Sequence, residues 1–383
     1  MDIIITIQHG GNVHFFKHFI RGLQSVGHEV HVFAREAEVV SSLLNKYDID
    51  HELLCDEPET LLDLGVTQIQ YEAKIFKRAR KIDPDYIVSS HGIAASHVAR
   101  LVGAESHIYI DTETSINHGN RLTTPFADRV YTPSSFNEDV GDSHIRYPGY
   151  HELAYLHPDR FEPDPEFLRR NGVDPNEQYA VIRRGAFTSN HDIGKSGISR
   201  TGYQRIVDEL ARNGPVYVSD ESDSQLPDGA EPIPVEPAKF HQLLAFADLV
   251  VGDVATTTME AGILGTPTVR ISPFAGSSDM GKFLELEEYG LIRSFPVERE
   301  DEAIELIERL SRDPRTTATW QDRRELLLET KVDVTEYLFE QLLDDADLET
   351  LREETEDESV TLERQPADSS TDEQQAEDPI PNP

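Results

Sequence analysis

The sequence predicts an α/β protein built from two doubly wound parallel sheets facing each other across a cleft, with an acidic tail behind them. Three observations carry this. Short apolar runs alternate with segments of helical period twice along the chain, the pattern of repeated strand–helix–strand units. Between the two series the pattern breaks over residues 148–178, where Pro148, Pro158, Pro163, Pro165 and Pro175 gather. The stretch Ala247–Ile271 then reads as an apolar strand, a small polar turn, a short helix and a second apolar strand, which places the start of that helix at the carboxyl edge of a sheet.

The elements follow in order. Asp2–Ile7 holds four isoleucines in six residues and forms the first strand. The turn at His9-Gly10-Gly11-Asn12 leads into a helix whose apolar positions Phe15, Phe16, Phe19, Ile20 and Leu23 keep a 3.6 period; Gly27 ends it, and Glu29–Ala34 is the second strand. Further strands are expected at 50–54, 85–89, 106–110 and 129–132, with helices between them. After the proline passage Tyr179–Arg183 begins a second sheet, followed by a helix at Arg200–Asn213, a strand at Val216–Ser219 and a helix at 237–246. Helices at about 300–312, 315–329 and 333–350 close the fold. These boundaries give a first Rossmann-like domain at 1–150, a linker at 151–178, a second Rossmann-like domain at 179–330 and a closing helix at 331–350. The tail at 351–383 is too polar to offset the cost of ordering and is expected to be disordered.

Composition bounds the rest. A chain of 383 residues can fill two domain cores. No 18-residue apolar run occurs and the chain enters its first strand directly, so a cytoplasmic protein without a membrane span is expected. Cys55 is the only cysteine, which excludes an internal disulfide and a cysteine-based metal centre. No His/Asp/Glu spacing marks a metal site, and no metal or cofactor is expected. Acids outnumber bases 72 to 35; residues 344–383 hold 15 acids and two bases, leaving 57 against 33 elsewhere, so the acidity belongs to the folded body. Only nine of the 35 bases are lysine. Such a surface fits a halophilic, archaeal source, where molar salt shortens the Debye length to about 3 Å and screens self-repulsion. It speaks against nucleic acid as a partner, since there is no basic stripe to displace phosphate counterions.

The segment Gly252–Pro267 carries the chemistry. Thr256, Thr257 and Thr258 stand where a helix begins, so hydroxyls and unpaired N–H groups point out of the sheet edge at a place where phosphate binds. Glu260, one turn in, can accept hydrogen bonds from sugar hydroxyls. The plainer alternative is that the threonines only cap the helix and Glu260 is a solvated acid favoured by the helix dipole. Arg183 and Arg184 end a strand and could clamp a diphosphate through bidentate contacts, or pair with neighbouring acids. His191 beside Asp192 could be a base with its orienting carboxylate. In the first half, Gly10 and Gly11 allow close approach of backbone to a ligand, with His14 opening the helix beyond. His91, Asp111 and Glu113 follow two further strands on the same edge. A carboxylate there could deprotonate an acceptor hydroxyl; Asp111 and Thr112 could equally cap a helix.

The order of elements and the run Pro237–Asp253 leading to Glu260–Pro267 resemble the GT-B superfamily, and within it the UDP-GlcNAc transferases of peptidoglycan synthesis and the non-hydrolysing UDP-GlcNAc 2-epimerases. Gly27-His28-Glu29-Val30, Ser90-His91-Gly92, Asp111-Thr112-Glu113, Pro125-Phe126-Ala127-Asp128 and His191-Asp192-Ile193-Gly194 together resemble the prokaryotic family known as domain of unknown function 354, over roughly residues 1–330. The resemblance implies that Glu260 holds the ribose of a nucleotide and that Gly252, Thr256, Thr257 and Thr258 face its diphosphate. It implies no metal. The epimerases carry a histidine in a His-Arg-Arg run where this chain has Ile182-Arg183-Arg184, and an acid after a His-Gly pair where His91-Gly92 is followed by Ile93; only Glu113 matches one of their acids.

The expected function is therefore transfer of a sugar from a nucleotide sugar, UDP above all, to an acceptor the sequence leaves unnamed, a lipid-linked one among the alternatives. Glu113, His191 and Asp111 are the candidate catalytic residues; Gly252, Thr256, Thr257, Thr258, Glu260, Arg183 and Arg184 form the donor side, and Gly10, Gly11, His14 and His91 the acceptor side. Two rival expectations are an epimerase or hydrolase acting on the nucleotide sugar itself, and a non-catalytic nucleotide-sugar binder. The oligomeric state is open.

Overall fold

The computed structural model describes residues 1–36, 39–56, 61–90, 92–113, 121–185, 197–221 and 225–353. Its first half alternates as expected: β1 (Asp2–Ile7), α1 (Gly10–Ser25), β2 (Glu29–Arg35), α2 (Val40–Lys46), β3 (His51–Cys55), α3 (Leu61–Ile82), β4 (Tyr86–Ser90), α4 (Ile93–Val102), β5 (Glu105–Tyr109), α5 (Arg121–Thr123), β6 (Arg129–Pro133) and β7 (His144–Tyr147). The seven strands are all parallel in the order β3-β2-β1-β4-β5-β6-β7. Ile3, Ile4, Ile5 and Ile7 are fully buried because β1 lies inside a sheet covered by helices on both faces.

The joining segment carries two short helices, α6 (Leu153–Leu156) and α7 (Pro165–Arg170). The second domain follows as β8 (Ala180–Arg184), α8 (Arg200–Leu210), β9 (Val216–Asp220), β10 (Glu231–Pro232), α9 (Phe240–Ala245), β11 (Leu249–Gly252), α10 (Ala255–Ile263), β12 (Thr268–Ile271), α11 (Gly281–Tyr289) and β13 (Arg293–Phe295), then α12 (Glu300–Arg312), α13 (Thr316–Leu328) and α14 (Val334–Glu340). Its six parallel strands run β10-β9-β8-β11-β12-β13. Strand order reverses between β1 and β4 in one sheet and between β8 and β11 in the other, and ligands of such sheets enter at the carboxyl ends of those strands.

Strands β7, β10 and β13 were not anticipated. They are two to four residues long and half polar, so no apolar run announces them. The closing helix differs too. Instead of one helix over 333–350, α14 stops at Glu340, a turn follows, and Asp344 restarts a helix over 345–353 by accepting from the amides of Ala346 and Asp347 at 3.1 and 3.0 Å. Leu351 is buried against α1, so order extends three residues into the expected tail; the rest of that tail, 354–383, lies outside the described residues.

Helix α14 returns to the first domain. Phe339 packs on Phe19 (5.2 Å between ring centres), Tyr337 meets Tyr131 and Tyr147, and the Thr335 hydroxyl donates to the Ala154 carbonyl at 2.7 Å. A side chain at Gly22 would overlap the Phe339 ring, so α1 carries glycine where α14 crosses it.

Candidate functional site

At the switch point of the second sheet, Asp253 holds the turn after β11. It accepts from the amides of Gly185 (2.7 Å) and Ile198 (3.3 Å), and burial pushes its carboxyl up to about 6 against the pull of those amides and of Arg184. Gly252 is required for packing: a Cβ there would stand 2.9 Å from the Arg183 carbonyl oxygen, because β11 passes close to β8. Helix α10 then begins at Ala255 with no side-chain cap and no acid in its first turn. Of the three threonines only Thr256 is exposed; Thr257 is buried, and Thr258 turns its hydroxyl back to the carbonyls of Val254 (3.1 Å) and Ala255 (3.0 Å). The threonines therefore do not cap the helix. Among the described residues none accepts from the amides of Ala255, Thr256 or Thr257, so this helix start presents uncompensated donors at the sheet edge.

Glu260 is not a solvated acid. It is 5% exposed, and its Oε1 accepts from the Tyr155 hydroxyl and lies within hydrogen-bond reach of His241 Nε2, both at 2.9 Å. Among the described residues Oε2 has no partner. The first domain meets this carboxylate through α1. His14 stands edge-on to His241 (4.9 Å between ring centres), and the Tyr47 hydroxyl bridges His14 Nδ1 at 3.2 Å and the Ala238 carbonyl at 3.1 Å. Burial, and then the neighbouring His241 and Lys17, hold His14 well below its ordinary range, so it is neutral. Burial together with Arg21 and Lys239 brings Lys17 down to about 8, and its ammonium lies 4.8 Å from the Tyr47 ring centre.

The arginine pair is engaged by acids. Arg183 bonds Ser219 and Glu221; Arg184 pairs with Asp220 at 3.2 Å and lies over the Tyr203 ring. A ligand phosphate would compete with those carboxylates for both guanidinium groups.

A second junction forms where β5 ends opposite α11. Glu113 Oε1 accepts from the amides of Gly281 (2.9 Å) and Asn137 (3.2 Å), so a carboxylate of the first domain caps a helix of the second. A side chain at Gly281 would run into the Ser135 carbonyl oxygen, a backbone-to-backbone contact between domains. Lys282, buried, donates to Asp111 Oδ2 at 2.5 Å; Thr112 donates to Asp111 Oδ1 at 2.9 Å, and His151 Nδ1 lies 3.9 Å from it. Beside them Glu152 is buried. Burial pushes it up to about 7, opposed by Lys282 and assisted by Asp111. Burial disfavours the Lys282 ammonium, but Asp111 and Glu152 outweigh it and hold that amine above its ordinary range.

The expected residues thus fall into three groups. Glu260 and His14 stand at one domain junction, Asp111 and Glu113 at the other, and Thr256 is exposed at the start of α10. Gly10 and Gly252 serve packing, since a Cβ on Gly10 would press on Val39 at 3.3 Å, while one on Gly11 would meet only His9 at 3.7 Å. His91 and the 186–196 segment with His191 and Asp192 lie outside the described residues. Sequence reasoning missed Tyr47, Tyr155, His241, Lys282 and Glu152, which belong to no local motif.

Two groups of acids and histidine not visible as sequence spacings come within ligand distance of one another among the described residues: Asp2, Glu29 and His31, and His157, Asp159 and Asp333. The first sits at the amino ends of β1 and β2, away from the junction. In the second, Asp333 is taken by Arg160 at 2.6 Å and by the start of α14. An open depression of about 590 Å³ lined by Glu105, Asp128, Arg129 and Asp142 also lies at the amino ends of strands β5 to β7, the edge opposite the junction. No helix among the described residues is long and apolar enough to cross a membrane.

Residues 1–337 match the model of a family described as "Protein of unknown function (DUF354)", and the chain belongs to that family. No curated protein sequence matches the chain. Among solved structures it is similar to the spinosyn forosaminyltransferase SpnP, with 17% identity and TM-score 0.63 over 89% of this chain and 98% of that one. It is similar to the glycosyltransferase VinC in complex with DTDP, with 15% identity and TM-score 0.59 over 92% and 100%. It is also similar to the UDP-GlcNAc 2-epimerase of Neisseria meningitidis bound to UDP-GlcNAc, with 13% identity and TM-score 0.56 over 86% and 99%. The fold is GT-B-like, two Rossmann-like domains facing each other.

Proposed function

We propose that this chain transfers a sugar from a nucleotide sugar, UDP-linked above all, to an acceptor hydroxyl, with the donor held by the second domain and the acceptor by the first. The observation that carries the reading is the start of α10. Three amides with no acceptor among the described residues and the exposed Thr256 stand at the switch point of the second sheet, and one turn on, Glu260 has Oε1 fixed by Tyr155 and His241 while Oε2 has no partner among the described residues. Donors for a diphosphate next to a pre-oriented acceptor for ribose hydroxyls is the arrangement a nucleoside diphosphate needs. A glycosyltransferase neighbour in complex with DTDP supports a nucleoside diphosphate as the ligand.

An epimerase reading draws on the neighbour bound to UDP-GlcNAc and on Glu113. Against it, Glu113 is occupied in capping α11, and an isoleucine stands where that family has its strand histidine. Calorimetry with UDP, dTDP and UDP-sugars in molar potassium chloride tests the proposal. Micromolar or tighter binding that Glu260→Ala weakens about tenfold or more supports it. Absence of binding by all of them refutes it, and conversion of UDP-GlcNAc to its 2-epimer would replace it with the second reading.

A further inference from the structure

Three carboxyl groups crowd the α11 junction, and their partners tell them apart. Glu113 is held by two backbone amides, which fix it as a helix cap. Asp111 is held by the Lys282 ammonium and the Thr112 hydroxyl. Glu152 is different: it is 4% exposed, and its Oε2 is buried with no hydrogen-bond partner among the described residues. A buried carboxyl oxygen left unpaired costs free energy unless something else engages it. Two further polar atoms nearby are in the same condition, Glu113 Oε2 and the Tyr147 hydroxyl.

Glu152 also lies between the two junctions. Lys282 of α11, Asp111 beyond β5 and Glu260 of α10 all act on it electrostatically, and it acts in turn on the hydroxyls of Tyr147, Tyr150 and Tyr155. His151 precedes it in the chain. Among the described residues its Oε2 has no hydrogen-bond partner, and it stands near both the proposed donor pocket and the first-domain edge.

We propose that Glu152 takes the proton of the acceptor hydroxyl, with Lys282 tuning it and with Asp111 and Glu113 acting as positioning residues. The inference rests on the transferase reading. In the step, the acceptor oxygen forms a bond to the anomeric carbon while its proton passes to Glu152 Oε2. The bond from that carbon to the diphosphate oxygen breaks, and its electron pair leaves with the nucleoside diphosphate. A carboxyl pushed up to about 7 suits this duty, because it is a stronger base than an ordinary glutamate and still becomes largely ionised above neutral pH.

The test measures nucleoside diphosphate release from a panel of UDP- and dTDP-sugars, with simple alcohols and sugars as acceptors, alongside calorimetry of UDP and dTDP. The wild-type rate is expected to rise with pH through a limb near 7. Glu152→Gln should lower kcat at least about a hundredfold and abolish the limb while leaving nucleoside diphosphate affinity within twofold. Glu152→Asp should recover part of the rate, and Lys282→Gln should move the limb upward, since the cation that favours the carboxylate is gone. A Glu152→Gln enzyme within threefold of wild type, or one keeping the limb, overturns the proposal. So does a wild type that binds nucleotide but turns over no donor. A wild type that binds no nucleotide overturns the donor reading as well, which keeps the two failures distinct.

Discussion

The two junctions between the domains are built on opposite principles. Around Glu260 the contacts are mostly aromatic: His14 is kept uncharged, Tyr155 and Tyr47 supply hydroxyls, and one carboxylate oxygen is fixed. Around α11 they are ionic and direct, with Glu113 on a helix start, Asp111 on Lys282, and backbone touching backbone at Gly281. On the transferase reading the first holds groups ready for a ligand, whereas the second holds the domains together. A change at α11 should therefore register as domain geometry, and a change at Glu260 as affinity.

The largest effect is expected at Gly281. A methyl group there runs into the Ser135 carbonyl, which, unlike a flexible side chain, cannot swing away. Gly281→Ala should part the domains at α11, enlarge the radius of gyration seen by small-angle scattering and cost about 1–3 kcal/mol or more of stability. Unchanged scattering and melting would mean that this junction does not set domain geometry.

Next comes Glu260→Ala. Besides weakening nucleotide binding, it strands the Tyr155 hydroxyl and His241 in a buried place, so a destabilisation of about 1–3 kcal/mol should accompany the loss of affinity. Glu260→Gln keeps an acceptor and should lose less of both. Denaturant melts set beside calorimetry separate the two; loss of stability with untouched affinity would make Glu260 a structural residue.

The unequal legibility of the two junctions follows from the same difference. Glu260 and the threonines stand within five residues of one another on a strand–helix unit, so the chain announces them, although not that Thr257 and Thr258 turn inward. Asp111 and Lys282 are 171 positions apart, and no periodicity marks Glu152 in a proline-broken linker. The alternation of elements was readable because both sheets bury continuous apolar strands. The return of α14 was not, since its target, Phe19 on α1, is just another core position until the domains are assembled.

A pH effect of intermediate size separates Glu152 from its neighbours. Burial raises both Glu152 and Asp253 above their ordinary values, so the folded state binds a proton more tightly than the unfolded chain does. The stability from this binding is full below about 4 and is lost as pH rises through about 6 for Asp253 and about 7 for Glu152. Between pH 5 and 8 the wild type should lose stability, and Glu152→Gln should flatten the upper part of that decline. An identical slope in the two proteins would place Glu152 in contact with water.

The smallest effect is expected at Arg183, and it bears on which side of the comparison the arginine pair belongs to. Its guanidinium is about one-fifth exposed and satisfied by Glu221 and Ser219, so Arg183→Ala should change stability by no more than about 1 kcal/mol. Its value lies in the ligand. If a bound diphosphate displaces Glu221, the substitution should weaken UDP while leaving uridine unaffected, and Glu221→Gln should strengthen UDP by removing a competitor. If the pair is only structural, both ligands keep their affinity in both variants, and the diphosphate rests on the amides of α10 alone. Titrating uridine and UDP against the two variants at one salt concentration decides between these outcomes.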